Sequence, residues 1–188
     1  MPAPRPPEVH IQRSFLPPLA LSKTLTALER LSPSWRASET LGLLGRSQTS
    51  QIRAGDLVVQ APLDEIRRTL AGAALHWARR CGFHFRAAPF LQIFPVRMLG
   101  DAQSPARQEP HVDSNDAQAG PPVCTNVFYA RVKDARGGEL AIGRPDELAG
   151  QILVPPTPNT MVSFPGECTH WVRPLYAGER VSVVINFY

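Results

Sequence analysis

The stretch PNTMVSFPGECTHWVRPLYAGERVSVVINFY, residues 158–188, decides the fold that the sequence predicts. It holds short runs rich in Val, Ile, Phe and Tyr, which Gly and Pro interrupt. Such runs are typical of β-strands, and Gly and Pro favour turns between them. Similar runs begin after about residue 83, as FLQIFPV, CTNVFYARV, GELAI and QILV. This half of the chain therefore predicts a mainly β fold, either a sandwich or a barrel.

The part of the sequence before these strands predicts two helices. The first covers about Leu19–Leu31. The second carries Pro62 in its first turn and is capped by Gly82. Apolar residues recur along the second helix at helical spacing, which predicts a stripe facing the core: Leu63, Ile66, Leu70, Ala74 and Trp77.

The domain organisation follows from these patterns and from the proline-rich start of the chain. We expect residues 1–8 to form a disordered tail and residues 9–188 to form a single domain. Within it, residues 9–85 supply helices and an outer part of the sheet, and residues 86–188 supply the β core.

Composition argues against several classes of protein. The chain of 188 residues has 43% hydrophobic residues, and it lacks both a long apolar run and an apolar leader, so we expect a cytoplasmic protein without a membrane span. Its three cysteines have no CxxC spacing, which disfavours a disulfide framework or a zinc knuckle. The net charge of +4 comes from the first half, since residues 95–188 carry a net charge of −2. We therefore expect no nucleic-acid partner.

The segment QEPHVDSNDAQ, residues 108–118, contains the first candidate site. His111 and Asp113 are two positions apart, so in an extended segment both side chains point to one side. His170 follows 57 residues after Asp113, and two His with one carboxylate are typical of the facial triad of non-haem Fe(II) oxygenases. Zinc is the alternative metal. Asn115 and Asp116 are interpreted as a turn after the ligands.

Arg180 and Ser182 are a second candidate site on the last predicted strand. They are two positions apart, and Arg180 follows His170 by ten residues. A guanidinium group is the natural partner of a carboxylate, and a hydroxyl can share it. This pair is therefore a candidate anchor for a dicarboxylate co-substrate.

The order His111-x-Asp113, then GGEL at Gly137–Leu140, then the stretch 158–188 resembles the Fe(II)- and 2-oxoglutarate-dependent oxygenases, in their prolyl-4-hydroxylase-like branch. The resemblance covers about residues 90–188. It implies a double-stranded β-helix (jelly roll, cupin-like) with flanking helices. It implies Fe(II) bound by His111, Asp113 and His170, and 2-oxoglutarate held by Arg180 with Ser182.

The resemblance also implies a role for Tyr129 beside Arg180, while one position departs from the family pattern. Where the family often has a Tyr, this chain has Met98, which cannot donate a hydrogen bond. The metal-binding end of 2-oxoglutarate would then be supported by Gln92, Arg97 or Asn126. The loop from Asp101 to Glu109 is longer than the common form and is a candidate substrate lid.

The implied reaction consumes 2-oxoglutarate and O2 and releases succinate and CO2. Because Asp113 is present, hydroxylation or another oxygenase outcome is expected rather than halogenation. The preferred substrate is a small molecule, such as an amino acid or biosynthetic intermediate. A peptidyl, prolyl-type hydroxylase is the alternative, and a cupin-like metal protein or isomerase is a further one. Nucleic-acid demethylases of this superfamily carry a second Arg six residues after the anchor, where this chain has Asn186.

Overall fold

The computed structural model describes residues 7–31, 57–85, 89, 91–114, 120–146 and 150–188. Within these residues, two helices and eight strands follow one another: β1 His10–Arg13, α1 Pro18–Arg30, α2 Leu57–Arg80, β2 Leu91–Leu99, β3 Ala106–His111, β4 Cys124–Gly137, β5 Leu140–Ile142, β6 Ile152–Val154, β7 Thr160–Pro165 and β8 His170–Phe187. Residues 1–6 and the predicted turn at Asn115 and Asp116 lie outside the described residues.

The strands form one curled antiparallel sheet in the order β1-β7-β4-β8-β5-β6, with β2 and β3 also paired to β8. The first part of β8 pairs with β3 and β5, and its second part pairs with β2 and β4. One strand thus joins the two halves of the curled sheet, and this architecture is the predicted jelly roll. The sequence predicts HWV and ERVSVVINFY as separate strands, whereas in the structure both belong to β8.

Gly178 makes this long strand possible where it passes between the two halves. Its φ is +79°, a conformation that side chains disfavour. A Cβ there would lie 2.3 Å from the carbonyl oxygens of Lys133 and Asp134. Arg180 follows two residues later, so the backbone that carries the predicted anchor depends on this glycine.

The helices cover the outer face of the sheet. The predicted stripe of α2 is confirmed as core, since Ile66, Leu70 and Ala74 are buried against Phe128 and other residues of the sheet. The Nε1–H of Trp77 donates to the Ser163 hydroxyl at 3.1 Å. Neither described helix has the length and apolar character needed to span a lipid bilayer.

The ends of α2 differ in how well the sequence predicts them. Gly82 caps the helix as expected, with a φ of +89° and its N–H bonded to the Arg79 carbonyl at 3.1 Å. The predicted start is wrong, because α2 begins at Leu57 and Pro62 lies inside it. Pro62 is the sixth residue of this helix, so it does not mark the first turn.

Part of the predicted loop between Asp101 and Glu109 is strand β3. The sequence of β3, ARQEPH, is polar and lacks alternating apolar residues. It pairs only with β8 among the described strands, and at an edge the polar pattern and Pro110 are tolerated. The lid prediction is therefore confined to what remains of the loop before Ala106.

Candidate metal centre

Two histidines and one aspartate meet where β3 and β8 pair. His111 is the last residue of β3 and lies opposite His170, the first residue of β8. Asp113 Oδ1 lies 3.5 Å from His111 Nε2, and Asp113 Oδ2 lies 3.7 Å from His170 Nε2. One ligand atom of each residue lies within 4.8 Å of the other two. Ligand atoms this close can share a single metal ion.

Both imidazoles turn the same ring nitrogen toward Asp113. His111 Nδ1 lies 2.8 Å from the Glu109 carbonyl, and His170 Nδ1 lies 3.1 Å from the Cys168 carbonyl. A carbonyl only accepts, so each Nδ1 carries the proton and donates it. Each Nε2 is left with a lone pair on the Asp113 side, which is the tautomer that metal binding through Nε2 needs.

The pKa shifts of His170 and Asp113 also favour metal binding. Burial lowers the pKa of His170 below its ordinary 6.5, although the charge of Asp113 acts in the other direction. Burial acts to raise the pKa of Asp113, but the neighbouring His111 and His170 side chains and the hydrogen bond from Asn186 outweigh it and lower that pKa. A neutral imidazole and an ionised carboxylate are the metal-binding forms.

A buried cation lies at the end of the site away from the metal ligands, which we call the distal pole. Arg180 is only 2% exposed, and its Cζ lies 5.0 Å from the centre of the Tyr129 ring. Its Nη1 donates to Met98 Sδ at 3.1 Å, but a thioether is a weak acceptor. Arg180 Nε and the Tyr129 hydroxyl have no hydrogen-bond partner among the described residues. A carboxylate bound here would supply the missing acceptor.

One cavity connects the triad with this cation. It has a volume of about 30 Å³. The side chains that line the cavity are Phe94, Val96, Gln108, His111, Asp113, Val127, Leu140, His170, Val172, Arg180, Ser182 and Val184.

Residues 100–188 match the family model described as "2OG-Fe(II) oxygenase superfamily". The matched segment contains the triad and the Arg180–Ser182 pair. Residues 100–188 belong to the 2OG-Fe(II) oxygenase superfamily. Fe(II), 2-oxoglutarate and O2 are the cofactor and co-substrates of this family, and the His–Asp–His cluster and the buried guanidinium fit them. The chain is thus a 2-oxoglutarate-dependent non-haem iron dioxygenase.

Solved structures with the same fold include several prolyl hydroxylases. A Pseudomonas putida prolyl-4-hydroxylase matches with a TM-score of 0.58 at 19% identity, over 96% of this chain and 88% of its own. A Trichoplax adhaerens prolyl hydroxylase, in complex with a hypoxia inducible factor oxygen degradation domain peptide fragment, matches with a TM-score of 0.62 at 14% identity, over 96% and 83%. These likenesses show the fold. Among curated proteins, no sequence matches this chain.

The structure brings the residues of the predicted anchor together in neighbouring rows across three strands. On β8, Ser182 lies opposite Tyr129 of β4 and Val96 of β2. Residues directly opposite each other in antiparallel strands share a face. Arg180 lies opposite Met98 in the next row. Tyr129 is fully buried, and burial raises the pKa of its hydroxyl although the charge of Arg180 opposes this.

Two predicted supports of 2-oxoglutarate are not brought to the cavity. Asn126 is one position out of phase with Val127 and Tyr129, so it lies on the helix side, where it accepts from Ser163 at 2.6 Å. Arg97 likewise lies on the opposite face from Met98 and donates to Glu179 at 2.8 Å. The structure places both residues away from the cavity because a strand alternates its faces.

Gln92 lies on the inner face, but its contact is with other residues of the sheet. Its Oε1 accepts from Asn186 Nδ2 at 3.3 Å and from the Tyr188 hydroxyl at 3.1 Å. Asn186 in turn donates to Asp113. Gln92 thus lies behind the metal ligands and does not line the cavity that contains Arg180.

Three residues near the triad are absent from the sequence-based site. Gln108 lines the cavity, and its Nε2 lies 3.2 Å from His111 Nε2. Asn186 and Thr125 both donate to Asp113 Oδ2, at 3.1 Å and 3.3 Å. Asn186 lies six positions after Arg180, and Thr125 lies four positions before Tyr129. Residues an even number of positions apart on one strand share a face, and this spacing could have indicated both residues.

Proposed function

We propose that residues 9–188 act as one oxygenase domain in which His111, Asp113 and His170 bind Fe(II) and Arg180 binds the distal carboxylate of 2-oxoglutarate. The observation that carries this proposal is the buried guanidinium of Arg180 in the same cavity as the triad. Among the described residues it has no carboxylate within ion-pair distance, although burying a lone cation is costly. A bound dicarboxylate would remove that cost.

The iron, with 2-oxoglutarate and O2, supplies the oxidising chemistry, and the chain supplies position and exclusion of water. At the distal pole, Ser182 and the Tyr129 hydroxyl offer hydrogen bonds beside the Arg180 fork. Between the poles, the row of Phe94, Val127 and Val184 is apolar. This row keeps water from the central part of the ligand.

Support of the metal-binding end of 2-oxoglutarate is assigned to Gln108. Apart from the triad and the Arg180–Ser182 pair, it is the one polar side chain among the described residues that line the cavity. Its amide already lies beside His111 Nε2. It can donate to a carboxylate or keto oxygen bound next to this nitrogen.

The proposed reaction is hydroxylation of an unactivated C–H bond in a small molecule, such as an amino acid or biosynthetic intermediate. A small-molecule substrate is supported by the narrow cavity, whose polar side chains are those assigned to binding the metal and 2-oxoglutarate. Among the described residues we find no separate module that would bind an extended peptide. A peptidyl, prolyl-type hydroxylase is the second candidate, which the shared fold with prolyl hydroxylases favours.

An anaerobic titration tests the assignment of the site. Wild-type protein with Fe(II) and 2-oxoglutarate should give a weak visible charge-transfer band, and His111→Ala or Asp113→Ala should abolish it. No band with wild-type protein would contradict the oxygenase site. Succinate release with pools of amino acids and with proline-containing peptides then separates the two substrate classes. Stimulation by peptides alone would reject the small-molecule proposal.

A further inference from the structure

We propose that Asn186 is a positioning residue that holds Asp113 as a single-oxygen metal ligand. The inference rests on the proposed function, since it concerns how the triad presents its carboxylate to iron. Asn186 is 0% exposed and lies on β8, six residues after Arg180. Its side chain lies behind Asp113, on the side away from the His111 nitrogen that faces Asp113 Oδ1.

The register of three strands places Asn186 in a polar row. It lies opposite Gln92 of β2 and opposite Thr125 of β4. The next row along the sheet is apolar and consists of Phe94, Val184 and Val127. The polar row of Asn186 therefore lies beside Asp113 at the metal end of the cavity. The row of Ser182 lies at its other end, beside Arg180.

Asn186 and Thr125 both act on one oxygen of the carboxylate. Asn186 Nδ2 donates to Asp113 Oδ2 at 3.1 Å, and the Thr125 hydroxyl donates to the same atom at 3.3 Å. Oδ1 faces His111 Nε2 at 3.5 Å. Oδ2 lies 3.7 Å from His170 Nε2, but its two hydrogen bonds leave Oδ1 as the oxygen that is free to bind the metal.

The amide orientation of Asn186 is fixed by its two acceptors. Nδ2 donates both to Asp113 Oδ2 and to Gln92 Oε1, the latter at 3.3 Å. A flipped amide would bring its oxygen against these two oxygens, which cannot donate. The Gln92 amide is fixed in turn, because Tyr188 also donates to its Oε1 at 3.1 Å.

The consequence concerns the number of open coordination positions. A carboxylate held through Oδ2 cannot rotate to bind a metal with both oxygens, so it occupies one position. The 2-oxoglutarate-dependent reaction needs the other positions for the co-substrate and O2. Outer partners of this kind commonly change metal affinity by about 10- to 100-fold when they are removed.

Mn(II) alone is the probe, because it binds sites built from oxygen and nitrogen ligands. The variant is Asn186→Leu, which keeps the shape and removes both donors. We expect its affinity for Mn(II) to fall by about 10- to 100-fold relative to wild type. Gln92→Met leaves Asp113 untouched but frees the Asn186 amide, and its affinity should fall by a smaller factor.

Asn126→Leu is the matched control. It is another fully buried strand asparagine, but its amide bonds Ser163 and the Ile185 carbonyl on the helix side. It should lower the melting temperature of metal-free protein while changing Mn(II) affinity by less than about twofold. A merely structural role of Asn186 would make the two variants alike in both measurements.

The possible results are distinguishable. If wild type binds Mn(II) and Asn186→Leu binds it within about twofold, or Asn126→Leu loses as much, the positioning role is rejected and the proposed function stands. If wild type binds no Mn(II), or His111→Ala binds it unchanged, both proposals fail. Should Asn186→Leu not fold, Thr125→Val removes the second donor to Oδ2. An unchanged affinity in that variant and in Gln92→Met would equally overturn the role.

Discussion

Replacing Arg180 by methionine should stabilise the protein without 2-oxoglutarate and weaken 2-oxoglutarate binding. The guanidinium is 2% exposed, and no carboxylate lies within ion-pair distance among the described residues. Its compensations are the Tyr129 ring, worth about 0.5–2 kcal/mol, and the weak Met98 acceptor. Burial of a charge costs several kcal/mol even after relaxation, so the cost wins.

The magnitudes follow from these terms. A flexible apolar side chain at position 180 should raise the free energy of unfolding by about 2 kcal/mol. For a chain of this length that is a rise of roughly 4–8 °C in Tm. Two charge-assisted hydrogen bonds to a carboxylate contribute about 3 kcal/mol or more, so the affinity for 2-oxoglutarate should fall at least about 100-fold.

The assay is thermal unfolding with Mn(II), in a series of 2-oxoglutarate concentrations. Arg131→Met is the matched control, because Arg131 lies on the outer face and is paired with Glu179 at 2.9 Å and with Glu29 at 3.3 Å. It should lower Tm and leave the 2-oxoglutarate response unchanged. The reasoning is refuted if Arg180→Met lowers Tm as the control does and keeps wild-type affinity for 2-oxoglutarate.

Three further predictions concern other parts of the site and its support. Gln108→Leu should weaken 2-oxoglutarate binding by about 3- to 10-fold, the loss of one neutral hydrogen bond, measured by calorimetry with Mn(II); an unchanged affinity would reject its assignment. Burial lowers the pKa of His170 in the folded protein, so as pH falls the unfolded chain binds a proton at this residue before the folded protein does. Metal-free protein should therefore lose stability as pH falls below 6.5. His170→Gln should flatten the plot of Tm against pH in this range. Gly178→Ala should lower the free energy of unfolding by about 3 kcal/mol or more, because its Cβ would meet two backbone carbonyls. As a control, Gly72→Ala in α2, whose Cβ would meet nothing within 4 Å, should raise the free energy of unfolding by about 0.5–1 kcal/mol. Equal Tm values for the two variants would contradict the strain at Gly178.

Two pairs of predicted site residues could be assigned to shared faces because their spacing is local. His111 and Asp113, and likewise Arg180 and Ser182, are two positions apart, and this period determines a shared face whatever the strand pairs with. The same rule could have removed Asn126 from the site, since it is three positions from Tyr129. The type of a polar residue alone does not indicate which face of its strand it takes.

The contacts of Asn186 could not be predicted from the sequence alone. Gln92 and Asn186 are 94 positions apart, and only the register between β2 and β8 places them side by side. A shift of that register by one residue would send Gln92 to the helix side. Strand β3 was missed for a related reason, because an edge strand made of polar residues has no periodic signal.

The buried atoms without partners locate the site independently of any motif. Among the described residues there are three, the Tyr129 hydroxyl, Arg180 Nε and Asn186 Oδ1. Each unsatisfied buried group lowers the free energy of unfolding by about 1–3 kcal/mol. Three such atoms would therefore remove a large part of the stability of a marginally stable domain. All three belong to rows on the inner face of β4 and β8 that contain the anchor or support Asp113. A ligand that satisfies the two atoms at the Arg180 pole would recover stability that the ligand-free protein lacks, and this is why ligand binding and folding stability should be measured together here.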